Sequence, residues 1–139
     1  MKALIDTNIL IDYFAKRPGF FENSREIMKQ CMEKKLDGCI AAHSVTNAFY
    51  ILRKDLTLPE LREALTLLCY IVTVIGIDKS KLLAAIGDED FTDIEDRLQT
   101  ECASDFGADY IVTRNIKDFT HSSVPAILPE ELLDKIKIV

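Results

Sequence analysis

A chain of 139 residues, 48% hydrophobic and 29% charged, has the size and composition of one globular domain, 1–139, with no repeat, low-complexity tract or linker. The uncharged run 64–77 is too short to span a bilayer, and the N-terminus lacks the basic flank and cleavage site of a signal peptide. The expectation is a soluble, cytoplasmic protein with no membrane partner. A net charge of −6 argues against a polyanionic partner only if it is evenly spread, and Asp88, Glu89, Asp90, Asp93, Glu95 and Asp96 crowd into 88–96.

Ala3 to Ile5 form an apolar run that reads as a buried strand, ended by Asp6, Thr7 and Asn8. Asp6 is either the N-cap of a short helix through Phe14 or a functional carboxylate at a strand end. Lys16-Arg17-Pro18-Gly19 makes a basic loop. Asn23 and Glu26 have capping-box spacing, which predicts a helix with Ile27, Met28, Cys31 and Met32 inside, ended by Gly38. Cys39 to Ala42 supply a second strand. Ser44 then caps a third helix with the stripe Val45, Ala48, Phe49 and Leu52, on which Asn47 sits one turn in.

Thr57-Leu58-Pro59-Glu60 opens a fourth helix with core residues Leu61, Ala64, Leu65 and Leu68. The β-branched run Ile71 to Ile75 is the clearest strand, closed by Gly76. A short helix through Leu82, Leu83 and Ile86 ends at Gly87. Thr92 and Glu95 again have capping-box spacing for a helix through Leu98, Cys102 and Phe106 to Gly107. Tyr110 to Thr113 form another strand, Val124 to Leu128 an edge strand limited by Pro125, and Pro129 starts a terminal helix with Leu132, Leu133 and Ile136. Strands alternating with amphipathic helices predict an α/β three-layer sandwich, a parallel sheet of four to five short strands covered on both faces.

Such a sheet would gather Asp6, Asp93, Asp96, Asn115 and Asp118 at one edge. Clustered carboxylates resist ionising together unless a cation lies between them, and an oxygen-only set suits Mg²⁺ or Mn²⁺. Asp88, Glu89 and Asp90 read as solvated, Asp12 as a turn or helix-surface residue, and His43 and His121 as lacking partners. Ser44 and Thr113 are cap or strand-end residues that can also orient a ligand. Cys31, Cys39, Cys69 and Cys102, widely spaced and without a C-x-x-C pair, read as reduced, buried thiols.

The N-terminal D-T-N, the S-x-T-N-x-F-Y-I-L-R-K helix, the D-x-E-D-x-L-Q segment and the late A-D-Y-I-V-T-R-N-x-x-D-F together resemble a PIN domain, in particular the VapC-like toxin ribonucleases of toxin-antitoxin pairs. The resemblance spans the chain and implies a metal-dependent endoribonuclease using Mg²⁺ or Mn²⁺. Asp6 matches the family's first aspartate and Asp96 the one opening the helix before the late strand. The usual glutamate of the third helix and aspartate after T-x are Asn47 and Asn115 here, so Asp93 and Asp118 are the substitutes, with Asn8, Ser44, Asn47, Thr113 and Asn115 in support. Lys16, Arg17, Arg53, Lys54, Arg114 and Lys117 flank these blocks and are candidates for holding RNA phosphates. The resemblance also implies an antitoxin protein and a homodimer built around Phe49, Tyr50, Leu61 and Leu65, with Ile51, Leu67 and Tyr70 as further apolar surface. The rival readings are a PIN module that binds RNA or an antitoxin without cleaving, and a phosphatase or receiver-like domain. The latter is disfavoured because Asn8 breaks the D-x-D pair.

Overall fold

The computed structural model describes residues 1–138. Its five strands are β1 (Lys2–Ile5), β2 (Asp37–Ala41), β3 (Thr73–Ile75), β4 (Tyr110–Val112) and β5 (Ala126–Ile127). They form one parallel sheet in the order β3-β2-β1-β4-β5. The chain builds outward from β1 through β2 to β3, then crosses back to lay β4 on the other edge of β1. That reversal puts a topological switch point between β1 and β4, where the carboxyl ends of parallel strands leave a crevice.

Seven helices cover the sheet: α1 (Thr7–Phe14), α2 (Phe21–Met32), α3 (Ala42–Leu52), α4 (Leu58–Ile71), α5 (Lys79–Ile86), α6 (Ile94–Phe106) and α7 (Pro129–Ile138). The two-residue alternation of the strands divides the core. Ala3, Ile5, Ile40 and Val112 face the layer of α1, α2, α3, α4 and α7, while Leu4, Cys39, Ala41 and Ile111 face α6. Because both faces of β1 are buried, it reads as a continuous apolar run. Among the described residues, no helix is long and apolar enough to cross a membrane.

Some element ends differ from expectation. α2 starts at Phe21 without a side-chain cap. Instead Tyr13 stacks on Phe21 at 6.2 Å, and Ser24 Oγ donates to the Phe20 carbonyl at 2.7 Å. Asn23 and Glu26 therefore form no capping box. Gly38 does not end that helix but lies inside β2, where a Cβ would stand 2.8 Å from Cys31 Sγ. Ile71 belongs to α4, whose Thr57–Glu60 capping box is present as expected. At α6 the cap is Asp93, not Thr92, and its Oδ1 accepts from Glu95 N at 2.8 Å. Cys69 is exposed, unlike the other three thiols.

Candidate metal and phosphodiester site

Asp6 and Thr113 follow β1 and β4 immediately, and Asp6 N donates to the Val112 carbonyl at 3.0 Å, so the two side chains meet at the switch point. Asp6 takes the capping role that its position allowed, at the end of a strand. It caps α1, accepting from Thr7 N at 2.8 Å, and its carboxylate is buried. Gln99 Nε2 donates to the same oxygen, Oδ1, at 3.1 Å, while Thr113 Oγ1 at 2.7 Å and Asn8 Nδ2 at 3.2 Å donate to Oδ2. Burial pushes the Asp6 carboxyl up, the bonds from Thr113, Thr7 and Gln99 pull it down, and Asp118 adds like-charge repulsion.

Ser44 does not cap α3, which has no side-chain cap. It is fully buried, accepts from Thr7 Oγ1 at 2.8 Å and Gln99 Nε2 at 3.0 Å, and so braces the residues that hold Asp6. Gln99 was not singled out from the sequence. The available signal was a polar residue in the buried stripe of α6 between Leu98 and Cys102. Asn115 N donates to Thr113 Oγ1 at 3.0 Å, tying the loop after β4 to the same centre.

These groups open into a cleft of about 280 Å³ lined by Asp6, Thr7, Asn8, Ile11, Arg17, Asn47, Ile51, Asp93, Glu95, Asp96, Gln99, Asn115 and Asp118. The fold thus brings all four candidate acids and both departing asparagines to one wall. Asp96 is perturbed in the same direction as Asp6. Burial, reinforced by Asp93, Asp118, Asp6 and Glu95, pushes its carboxyl up to about 7. Among the described residues, no three histidine, cysteine or acidic side chains converge as a ready-made cation cage. An ion here would draw on Asp6 and Asp96 together with neutral oxygens, a donor set that fits a hard cation. His43, expected to be bland, has both ring nitrogens buried without a partner among the described residues, and burial holds it below its ordinary value against the pull of Glu95 and Asp93.

The six basic candidates do not lie together. Arg17 lines the cleft, and Lys117 lines an adjoining one with Asp93, Asp96 and Asp118. Lys16 faces the apolar groove between α2 and α4 instead. Arg53 folds over Tyr50 at 4.3 Å, and Lys54 follows it in the exposed turn after α3. Arg114 forms a two-pronged ion pair with Asp12, at 2.6 and 3.0 Å, and stacks on Phe20 at 4.0 Å. Asp12 is therefore no surface residue: it is fully buried and holds Arg114, with Arg17 at 3.7 Å. Asp88 likewise is not merely solvated, since it accepts from Arg97 at 2.7 Å and pins the acidic loop to α6.

The chain matches the family described as PIN domain over residues 2–117. It is similar to Ribonuclease VapC1 of Aquifex aeolicus (strain VF5), 26% identical over 141 residues that cover 96% of this chain and 94% of that protein. Among solved structures it resembles VapBC2 from Rickettsia felis bound to a DNA fragment from their promoter, at 19% identity and a TM-score of 0.64, covering 91% of this chain and 96% of that one. It also resembles a toxin-antitoxin complex from Klebsiella pneumoniae, at 19% identity and a TM-score of 0.65, covering 91% and 97%.

Proposed function

The chain belongs to the PIN domain family, and on that premise we propose that it is a divalent-metal-dependent endoribonuclease, the toxin of a toxin-antitoxin pair. The observation that carries this reading is Asp6, a buried carboxylate held by four donors beside the proton-hungry Asp96 at the sheet's switch point. Asp6 and Asp96 would hold Mg²⁺ or Mn²⁺, with Asp118 and Asp93 at the rim. When bound, such an ion supplies the polarisation that activates water and stabilises charge on phosphoryl oxygens. Thr113, Gln99 and Thr7 keep Asp6 in one orientation. Arg17 and Lys117 position phosphates on either side of the scissile bond without reading base identity. Asp118 and Asp93 are the exposed carboxylates able to accept a proton from the attacking water.

The antitoxin would dock in an apolar groove of about 480 Å³ between α2 and α4, lined by Phe14, Phe21, Met28, Leu67, Leu68 and Ile71. The homodimer needs a different basis from the one expected, because Leu61 and Leu65 are buried in the protomer core. Exposed apolar groups remain at Tyr50, Leu67 and Tyr70, and on α5 at Leu82, Leu83 and Ile86. The setting is the cytoplasm, where the four thiols stay reduced.

Purified protein incubated with structured and single-stranded RNA should cleave with Mn²⁺ and stop with EDTA. Asp6→Asn should stay folded, at a lower melting temperature because a new NH₂ enters a ring of donors, and should not cleave. Cleavage that survives both EDTA and Asp6→Asn would defeat the reading. The second reading, a binding module that does not cleave, is favoured by Asn47 and Asn115, amides on the cleft wall where the resemblance leads one to expect acids. Asn47→Glu with Asn115→Asp should tighten Mn²⁺ binding and raise cleavage. If it tightens Mn²⁺ while parent and variant both leave RNA intact, the binding module is the correct assignment.

A further inference from the structure

Asp6 is clasped by two carboxamides, one on each carboxylate oxygen: Gln99 Nε2 on Oδ1 at 3.1 Å and Asn8 Nδ2 on Oδ2 at 3.2 Å. Their orientation is fixed by chemistry, since turning either amide over would set its oxygen against a carboxylate oxygen. Gln99 is held further by Ser44 Oγ at 3.0 Å and Thr7 Oγ1 at 3.2 Å, and is only 2% exposed. Each amide has therefore committed its NH₂ inward. Both amide oxygens, Gln99 Oε1 and Asn8 Oδ1, are left buried without a hydrogen-bond partner among the described residues. Buried acceptors rarely go unpaired in a folded protein, and both of these residues line the acidic cleft.

We propose that Gln99 Oε1 and Asn8 Oδ1 are acceptors for the hydration shell of the divalent cation held at Asp6 and Asp96. Mg²⁺ retains several waters when protein-bound, each with protons that need an acceptor, and the partners around an ion's ligands tune its affinity. Gln99 is thus a positioning residue with two ends, its amide nitrogen orienting Asp6 and its oxygen receiving water from the ion. The inference rests on the metal-dependent reading above and adds residues to it.

The test is a calorimetric Mn²⁺ titration of metal-free parent, Gln99→Met and Gln99→Glu, beside melting curves with and without Mn²⁺. Methionine fills similar space while deleting donor and acceptor, and affinity should fall roughly ten- to a hundredfold. Glutamate keeps an acceptor and loses the donor. It should melt lower without metal, because two carboxylates then face each other, yet bind Mn²⁺ at least as tightly as the parent and recover its melting temperature. Parent-like Mn²⁺ affinity in Gln99→Met overturns the proposal. So does equal weakening in both variants, which would make Gln99 only a brace for Asp6. If Gln99→Met does not fold, Asn8→Leu against Asn8→Asp gives the same contrast at the other amide: weaker binding in the first, none lost in the second, with equal loss in both overturning the proposal. RNA cleavage is read separately. A parent that shows this order of Mn²⁺ affinities but cuts no RNA removes the nuclease reading alone, one that cuts RNA while Gln99→Met titrates like the parent removes this proposal alone, and one that binds no Mn²⁺ removes both.

Discussion

With its carboxyl pushed up to about 7 by burial and by Asp93, Asp118, Asp6 and Glu95, Asp96 is half protonated near neutral pH in the metal-free protein. Its folded value lies above its ordinary 3.8, so the folded state binds a proton more tightly than the unfolded chain across that interval. The resulting stabilisation is complete below about 3.8 and lost as pH rises through about 7. Melting temperature without metal should fall across this window, and Mn²⁺ should restore it at the upper end. Asp96→Asn should make the profile shallower without abolishing it, since burial raises the Asp6 carboxyl as well, and an equally steep profile in that variant would mean that Asp96 is not a titrating group. Arg114 gives a second test at this scale. Removing it, as in Arg114→Met, leaves the buried Asp12 charge with only the longer contact to Arg17 and should cost about 3 kcal/mol in denaturant unfolding. Cleavage per folded molecule should hardly change, whereas a phosphate-binding Arg114 would lose activity and keep its stability. Asp12 was hard to read because Ile9-Leu10-Ile11-Asp12 looks like an apolar helix face reaching solvent. Its partner lies 102 residues away, a separation that no local pattern encodes.

The α6 N-terminus shows how one element serves two demands. Asp93 caps the helix through Glu95 N, while Asp96, one turn further in, points its raised carboxyl at the cleft. Asparagine caps a helix about as well as aspartate. Asp93→Asn should therefore keep the melting temperature and lower Mn²⁺ affinity far less than Asp96→Asn. Calorimetry that finds equal losses would promote Asp93 from rim to ligand. Elements with local signatures were legible from the sequence: Thr57 to Glu60 shows its capping box, Gly107 its left-handed turn at φ 76, and β1 its unbroken apolar run. α2 was misread at its start because Tyr13 stacking on Phe21, a contact between helices, replaces the cap that Asn23 imitates. Ser44 was misread for a related reason, since a hydroxyl near a helix start looks like a cap whether or not it is drawn inward by Thr7 and Gln99. The acids that line the cleft were legible because strand ends and helix starts are. Gln99 was not, because its importance comes from three side chains of other segments meeting it.

For the molecule as a whole, acidic groups gather at one cleft, where Asp6, Asp93, Glu95, Asp96 and Asp118 meet Arg17, while Lys16, Arg53 and Arg114 lie elsewhere. On α5, Leu82, Leu83 and Ile86 are 40%, 58% and 65% exposed, an apolar group on one short helix that a second protomer would cover. Light scattering at micromolar concentration should report a dimer, and Ile86→Asp should give a monomer with an unchanged Mn²⁺ titration. A parent that is monomeric throughout would leave α5 without this role. Co-expression with a neighbouring small open reading frame should yield a complex that Leu67→Asp, in the α2–α4 groove, prevents. The sheet order carries one more consequence, and it concerns manufacture. A growing chain presents Asp6 almost at once, but Thr113, its donor at 2.7 Å, is joined on 107 residues later, with the strand that occupies the second edge of β1. Until β4 docks, Asp6 lacks its Thr113 donor and the cleft its Asn115 and Asp118 wall, so the site is completed only late in translation. Chains stalled before Tyr110 should neither bind Mn²⁺ nor cut RNA.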